Sequence, residues 1–285
     1  MTFRLCITCV LIISLHYIES VCAQETIKGI LETHIYPTSV KGPKYKKLKI
    51  YLPADYYSQI QRYPVVYLLH GANGNENSWI DQGKILKSID SLVLCGSIGK
   101  YIYVFPNINK YYNDYDSMDS HSINSIDAYL NLNGSIEYSF TYDLVTYIEQ
   151  TFRTIPTKEY RAIAGLSIGG LHTLYITANA PDIFGFIGLF SPIIYPPPNF
   201  GKHSYIYRDL IGKLEHQFSS SEELSLYLIM IGENDPFFKG AKTYSEELKE
   251  MKCYHIFEKT SGGHTWDNWS KYCNIFLKSL WTQYP

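Results

Sequence analysis

The sequence predicts an α/β fold, with a mostly parallel central sheet and helices on both of its faces, in a single domain. Three observations carry that expectation. Short continuous apolar runs, such as Tyr63 to Leu69, Tyr101 to Phe105 and Leu226 to Ile231, read as strands covered on both faces. Segments with apolar residues at helical spacing lie between the runs. Glycines and polar residues follow the carboxyl ends of the runs, where parallel α/β sheets place their sites.

Taken in order, residues 26–36 and 46–52 alternate polar with apolar and read as an antiparallel start to the sheet. The apolar run from Tyr63 ends in His70-Gly71-Ala72-Asn73-Gly74, with Trp79 just beyond. Glycines directly after a buried strand let a backbone N–H turn towards a ligand. Ile85 to Leu94 is amphipathic and helical. Tyr101 to Phe105 is the next strand, ended by Pro106. Residues 107–136 are polar, rich in Tyr, Asn, Asp and Ser, and lack a period, so they read as a functional loop walling a substrate cleft. Leu144, Tyr147, Ile148 and Phe152 mark a helix.

Tyr160 to Ala164 is the strand before Gly165-Leu166-Ser167-Ile168-Gly169, and Leu171, Leu174, Tyr175 and Ala178 continue at helical spacing. A Gly-x-Ser-x-Gly between strand and helix is the nucleophile elbow pattern. The turn lifts the Ser167 hydroxyl above the sheet edge and leaves the Ile168 N–H beside it. Phe186 to Phe190 is another strand. Pro192 to Phe200, with three consecutive prolines, cannot be regular and reads as a second part of the cleft rim. Leu226 to Ile231 is a strand running into Gly232-Glu233-Asn234-Asp235-Pro236. Ala241 to Met251 is helical. Cys253 to Phe257 is the last strand, before Gly263-His264-Thr265-Trp266 and a helix to Trp281.

Composition bounds the partners. The 285 residues include 46% hydrophobic side chains, ample for a core, and the net charge of −2 gives no reason to expect nucleic acid. The 27 tyrosines suit sugar or aromatic ligands, though most are expected simply to cover core edges. Arg4, the apolar stretch Leu5 to Leu15 and the small-residue site Val21-Cys22-Ala23 read as a signal peptide over residues 1–23. The remaining residues, 24–285, are then expected to be secreted or periplasmic, with no membrane contact. Cys95, Cys253 and Cys273 remain after that segment. They are either three free thiols or one bridge, Cys253 to Cys273, with one left over. No Cys or His spacing suggests a metal site, and no cofactor is expected. The oligomeric state is not legible.

The chemistry rests on three polar residues at strand ends, in the order Ser167, Asp235, His264. A serine hydroxyl needs a base and an orienting acid to become a nucleophile. His264 is the candidate base and Asp235 the candidate acid, with Glu233 its nearest competitor. Ser-Asp-His is also the triad order of the α/β-hydrolases. Ile168 and Ala72, or Ala72's neighbour Asn73, are candidate donors to an oxyanion. His70 is expected to brace that loop. Trp79 and Trp266 are candidate substrate contacts.

These residues carry a resemblance running from about Lys46 to Trp281. Tyr67-Leu68-Leu69-His70-Gly71-Ala72, Glu76-Asn77-Ser78-Trp79, Ala164-Gly165-Leu166-Ser167-Ile168-Gly169-Gly170, Gly232-Glu233-Asn234-Asp235 and Gly263-His264-Thr265-Trp266 resemble the "putative esterase" family. That family contains esterase D (S-formylglutathione hydrolase), the feruloyl esterases of carbohydrate esterase family one, and the mycolyltransferases. The resemblance implies that Ser167, Asp235 and His264 form a triad and that Ala72 and Ile168 supply the oxyanion hole. It further implies a secreted serine carboxylesterase acting on acetyl or feruloyl esters of plant cell-wall polysaccharide. The alternatives are acyl transfer to a sugar with the same triad, and a non-catalytic carbohydrate-binding protein on this fold.

Overall fold

The structure, a computed structural model, describes residues 28–39, 44–109, 138–194, 204–219 and 224–283. The proposed signal peptide and most of the 107–136 and 192–200 loops lie outside the described residues.

Eight strands form one sheet in the order β1-β2-β4-β3-β5-β6-β7-β8. They are β1 (Ile30–Pro37), β2 (Tyr45–Leu52), β3 (Val65–Leu69), β4 (Ile102–Pro106), β5 (Arg161–Leu166), β6 (Phe186–Phe190), β7 (Leu226–Gly232) and β8 (Ile256–Thr260). The alternating strands β1 and β2 pair antiparallel, and β2 pairs antiparallel with β4. From β4 to β8 every pairing is parallel. The five apolar strands are buried along their whole length, because both faces of the sheet are covered.

Strand residues alternate between two cores. Val65, Tyr67 and Leu69 face one, together with Leu171 and Leu174 of the helix after Ser167 and Tyr244 and Leu248 of a later helix. Val66 and Leu68 face the other, with Ile85 and Ile89 on one helix and Tyr272, Phe276 and Leu280 on the last. The covering elements are α1 (Ser78–Asp81), α2 (Ile85–Leu94), a π-helical turn (Ser139–Val145) running into α3 (Thr146–Thr151), α4 (Ile168–Asn179), α5 (Ser204–Ser219), α6 (Phe238–Glu250) and α7 (Trp266–Gln283).

Helix α5 and the last strand are among the elements that differ from the sequence reading. The reading assigned nothing to 201–225, where α5 lies, with Tyr207, Leu210 and Leu214 buried against α4. The last strand is 256–260 rather than 253–257. Residues 251–253 are taken by the end of α6, where the Cys253 N–H donates to the Leu248 carbonyl. Pairing with β7 starts at Leu228↔Ile256. As an edge strand, β8 carries the exposed polar residues Glu258 and Lys259, which hid it from an apolar-run criterion. None of Cys95, Cys253 and Cys273 forms a disulfide; Cys253 and Cys273 are buried and Cys95 is exposed.

At the amino ends of the central strands a pocket of about 300 Å³ opens between β2, α2 and β4, lined by Leu52, Ile89, Val93 and Tyr101. Its polar neighbours pair locally: Tyr51 donates to Asp90 and accepts from the Gly29 N–H, and Lys100 pairs with Asp55.

Candidate active site

The carboxyl ends of β3, β5, β6 and β7 converge on Ser167. The residue sits between β5 and α4 at φ 56°, ψ −119°, a conformation that non-glycine residues rarely adopt. Two glycines make the turn possible by their lack of bulk. A Cβ on Gly165 would lie 2.2 Å from the Gly169 carbonyl oxygen, and one on Gly169 would lie 2.3 Å from that of His70. The backbone is tied on either side: the Ser167 N–H donates to the Phe190 carbonyl, and the Ile193 N–H donates to the Ser167 carbonyl. A strained residue persists only when its surroundings over-determine it, and these bonds do so.

The Ser167 Oγ lies 2.9 Å from His264 Nε2, and His264 Nδ1 lies 2.9 Å from Asp235 Oδ2. The Asp235 side chain is fully buried, and its Oδ1 accepts the Phe237 N–H at 2.9 Å. Burial alone would raise this carboxyl. The hydrogen bonds from His264 and Phe237, with the nearby Ser191 hydroxyl and the His264 ring, outweigh it and hold the carboxyl below the usual carboxylate range. An ionised Asp235 requires a proton on His264 Nδ1, which leaves Nε2 as the acceptor facing Ser167. Glu233 points to the surface and pairs with Lys259, so Asp235 is the acid that meets the histidine.

The structure corrects one of the two aromatic assignments. Trp79 is 1% exposed, donates its indole N–H to the Leu69 carbonyl, and packs edge-on to Phe190 and Trp266. It is a core residue under the site, and substrate contact is closed to it by burial. Trp266 is partly exposed and packs against Gly83 and Trp269. The rings on His264 are Trp269, at 4.8 Å and near perpendicular, and Phe237, at 5.0 Å. The sequence reading named neither. Trp269 follows Trp266 by three residues, one turn along α7 on a shared face.

The loop after β3 lies beside Ser167. A Cβ on Gly71 would fall 3.3 Å from the Ser167 Cβ. Ala72 and Asn73 occupy a tight turn closed by the Gly74 N–H on the Gly71 carbonyl, with Asn73 at φ 58°. Ile168 is the first residue of α4, and a helix gives its first N–H groups no internal acceptor. His70 braces the turn, as expected. Its Nδ1 donates to the Gly71 carbonyl and its Nε2 accepts the Ile108 N–H. Burial, reinforced by the charge of Lys46, outweighs the Gly71 bond and lowers His70 to about 4, so the ring is neutral. A second buried pair supports the loop: the Asn107 side-chain amide donates to the Glu76 carboxylate at 2.9 Å. His34 is engaged by Glu32 and Tyr147, and His255 by Ser245 and the Cys253 carbonyl, away from Ser167. Among the described residues no group of three or more His, Cys, Asp or Glu could hold a metal ion. None of the described helices is long and apolar enough to cross a membrane.

The chain is similar in sequence and in fold to several known proteins. An endo-1,4-beta-xylanase/feruloyl esterase of Xylanibacter ruminicola is 34% identical over 158 residues, covering 54% of this chain and 20% of that protein. Endo-1,4-beta-xylanase Y of Acetivibrio thermocellus is 27% identical over 163 residues, 55% of this chain and 13% of that protein. The chain thus matches a fifth or less of the length of these relatives. Among solved structures, a CE1 ferulic acid esterase from the anaerobic fungus Anaeromyces mucronatus superposes with a TM-score of 0.73 at 22% identity, over 90% of this chain and 92% of that one. An S-formylglutathione hydrolase from Staphylococcus aureus gives 0.67 at 18% identity, over 89% and 97%. These two likenesses establish a shared fold. The family model "Esterase: Putative esterase" matches residues 42–273, most of the sequence, and the chain therefore belongs to this esterase family.

Proposed function

We propose that the protein is a serine esterase that hydrolyses feruloyl-type esters carried on plant cell-wall polysaccharide. The observation that carries this reading is the continuous series from Ser167 Oγ through His264 to the buried Asp235, mounted on a strained turn. In the reaction, Ser167 Oγ attacks the ester carbonyl while His264 Nε2 takes its proton. The oxyanion is held by the Ile168 N–H and the N–H of Ala72. His264 then gives the proton to the departing alcohol. Water, deprotonated by the same nitrogen, releases the acid from Ser167. The imidazolium formed midway is stabilised by Asp235, whose burial strengthens the interaction.

The acyl group proposed is supported by two likenesses: the 34%-identical relative carries feruloyl esterase in its name, and the A. mucronatus enzyme has a structure in complex with ferulic acid. The leader-like residues Arg4 to Ala23 support action outside the cytoplasm. The test is release of ferulate from methyl ferulate and from feruloylated arabinoxylan fragments, beside release of acetate from acetylated xylan, with the Ser167→Ala variant as control. Ferulate release that exceeds acetate release and vanishes in the variant is the expected result. Comparable ferulate release by the variant overturns the mechanism, and preference for the acetyl ester overturns the substrate.

A further inference from the structure

Ser191 follows β6 and has the same unusual backbone hand as Ser167, at φ 46°. Its segment joins the two arms of the site. The Phe190 carbonyl and the Ile193 N–H both bond to Ser167, while the Ser191 N–H donates to the Met230 carbonyl of β7, at 2.8 Å. β7 is the strand whose following turn carries Asp235. Ser191 is wholly buried, and its hydroxyl meets no partner within hydrogen-bond geometry. Its backbone bond to Met230 sets it beside the carboxyl end of β7, next to the turn that carries Asp235, where a hydroxyl would favour the ionised carboxylate. A buried hydroxyl without a partner is costly, and a strained serine is a poor choice where glycine would fit without strain. Both costs have an explanation if the hydroxyl acts on the carboxylate.

A carboxylate can accept about four hydrogen bonds, and Asp235 has two, from His264 and from the Phe237 N–H. Hydrogen bonds in an unliganded site are often long and tighten in the transition state. We propose that Ser191 is a positioning residue whose hydroxyl becomes the third donor to the Asp235 carboxylate, fixing its plane against His264 while the imidazole holds the Ser167 proton. The hydroxyl swings about its Cα–Cβ bond to do so and exchanges no proton. This role rests on the triad reading above.

The test compares Ser191→Ala, which keeps the backbone restraint, with Ser191→Gly, which relaxes it. Turnover of methyl ferulate should fall about tenfold in kcat in both variants, with KM within about twofold. A second readout needs no turnover: the downfield proton resonance of His264 Nδ1–H should shift in both variants and stay in place in Lys252→Gly, a backbone control far from the site. The glycine variant is expected to fold, since it removes strain, so a failure of Ser191→Ala to fold leaves the test intact. Kinetics within twofold of wild type and an unmoved resonance in the glycine variant overturn the proposal. So does an alanine variant that behaves as wild type while only the glycine variant is impaired, because the backbone would then be what matters. If the wild-type protein turns over no ester, the esterase reading fails, and the resonance decides the Ser191–Asp235 contact by itself.

Discussion

The two ends of the sheet use a positive backbone φ for different purposes. At the amino ends, Gly96 (φ 65°) and Lys252 (φ 59°) are left-handed residues that terminate α2 and α6. Each allows the next N–H to reach back to a carbonyl near the helix end, from Ser97 to Leu92 and from Cys253 to Leu248. At the carboxyl ends, Asn73, Ser167 and Ser191 are left-handed too, yet none of them ends a helix. One carries the hydroxyl that meets His264, one lies in the turn beside it, and one is tied to the strand that leads to Asp235. The difference shows how to read strain: where a capping bond explains it, the residue serves the fold, and where none does, the side chain or the following N–H is what is being aimed.

That contrast can be broken most severely at Ser167. Ser167→Ala should lose on the order of four decades in kcat with an unchanged melting curve. Retention of a tenth of the activity would place the nucleophile elsewhere. Next in size, Asp235→Asn should cost about three decades, since an amide cannot hold the histidine tautomer, while Glu233→Gln on the exposed Lys259 pair should stay within about twofold. Paired kinetics on the two variants would show a misassigned acid at once.

The third effect is on stability. His70 is lowered from the usual 6.5 to about 4 when folded, so an unfolded chain protonates it through that window while the folded one does not. Falling pH therefore favours unfolding between those limits, by about 3 kcal/mol in all. His70→Gln, which keeps an acceptor for Ile108 but cannot titrate there, should flatten the fall in Tm from pH 6.5 to 4. Asp235, held low, acts with the same sign but only below about pH 4, where its carboxylate protonates. An equal pH slope in the variant would remove His70 as the cause. The smallest effect is at the amino edge. Lys252→Gly should stabilise by about 1 kcal/mol, read as a rise in Tm, with activity within twofold. A loss of activity there would mean that the two ends are coupled.

Much of this was legible in the residues because it depends on local pattern. The buried runs gave the parallel strands, and Gly165, Ser167 and Gly169 gave the turn. The order of Ser167, Asp235 and His264 was legible because each follows a strand. What escaped depended on contacts between distant segments. Ser191 is an ordinary serine after an ordinary strand until β7 is laid beside it. Phe237 and Trp269 meet the imidazole only once the Asp235 turn and α7 are folded together. Trp79 looked like a cleft residue from its place after the Gly71 turn, yet the sheet end closes over it. Helix α5 is different, since Tyr207, Leu210, Ile211 and Leu214 carry the helical period in plain view.

The three cysteines among the described residues, all unbridged, give the molecule an uneven chemical reactivity. Burial pushes the Cys253 thiol up to about 12 and the Cys273 thiol well above the ordinary range, so neither supplies a thiolate near neutral pH. Cys95 is exposed at the end of α2, on the side of the sheet away from Ser167. Over residues 24–285 an alkylating reagent therefore meets one accessible sulfur and two closed ones. A fluorophore attached there would sit at the opposite end of the sheet from Ser167, an anchor from which binding of the proposed ester substrate could be watched by energy transfer without a mutation in the site.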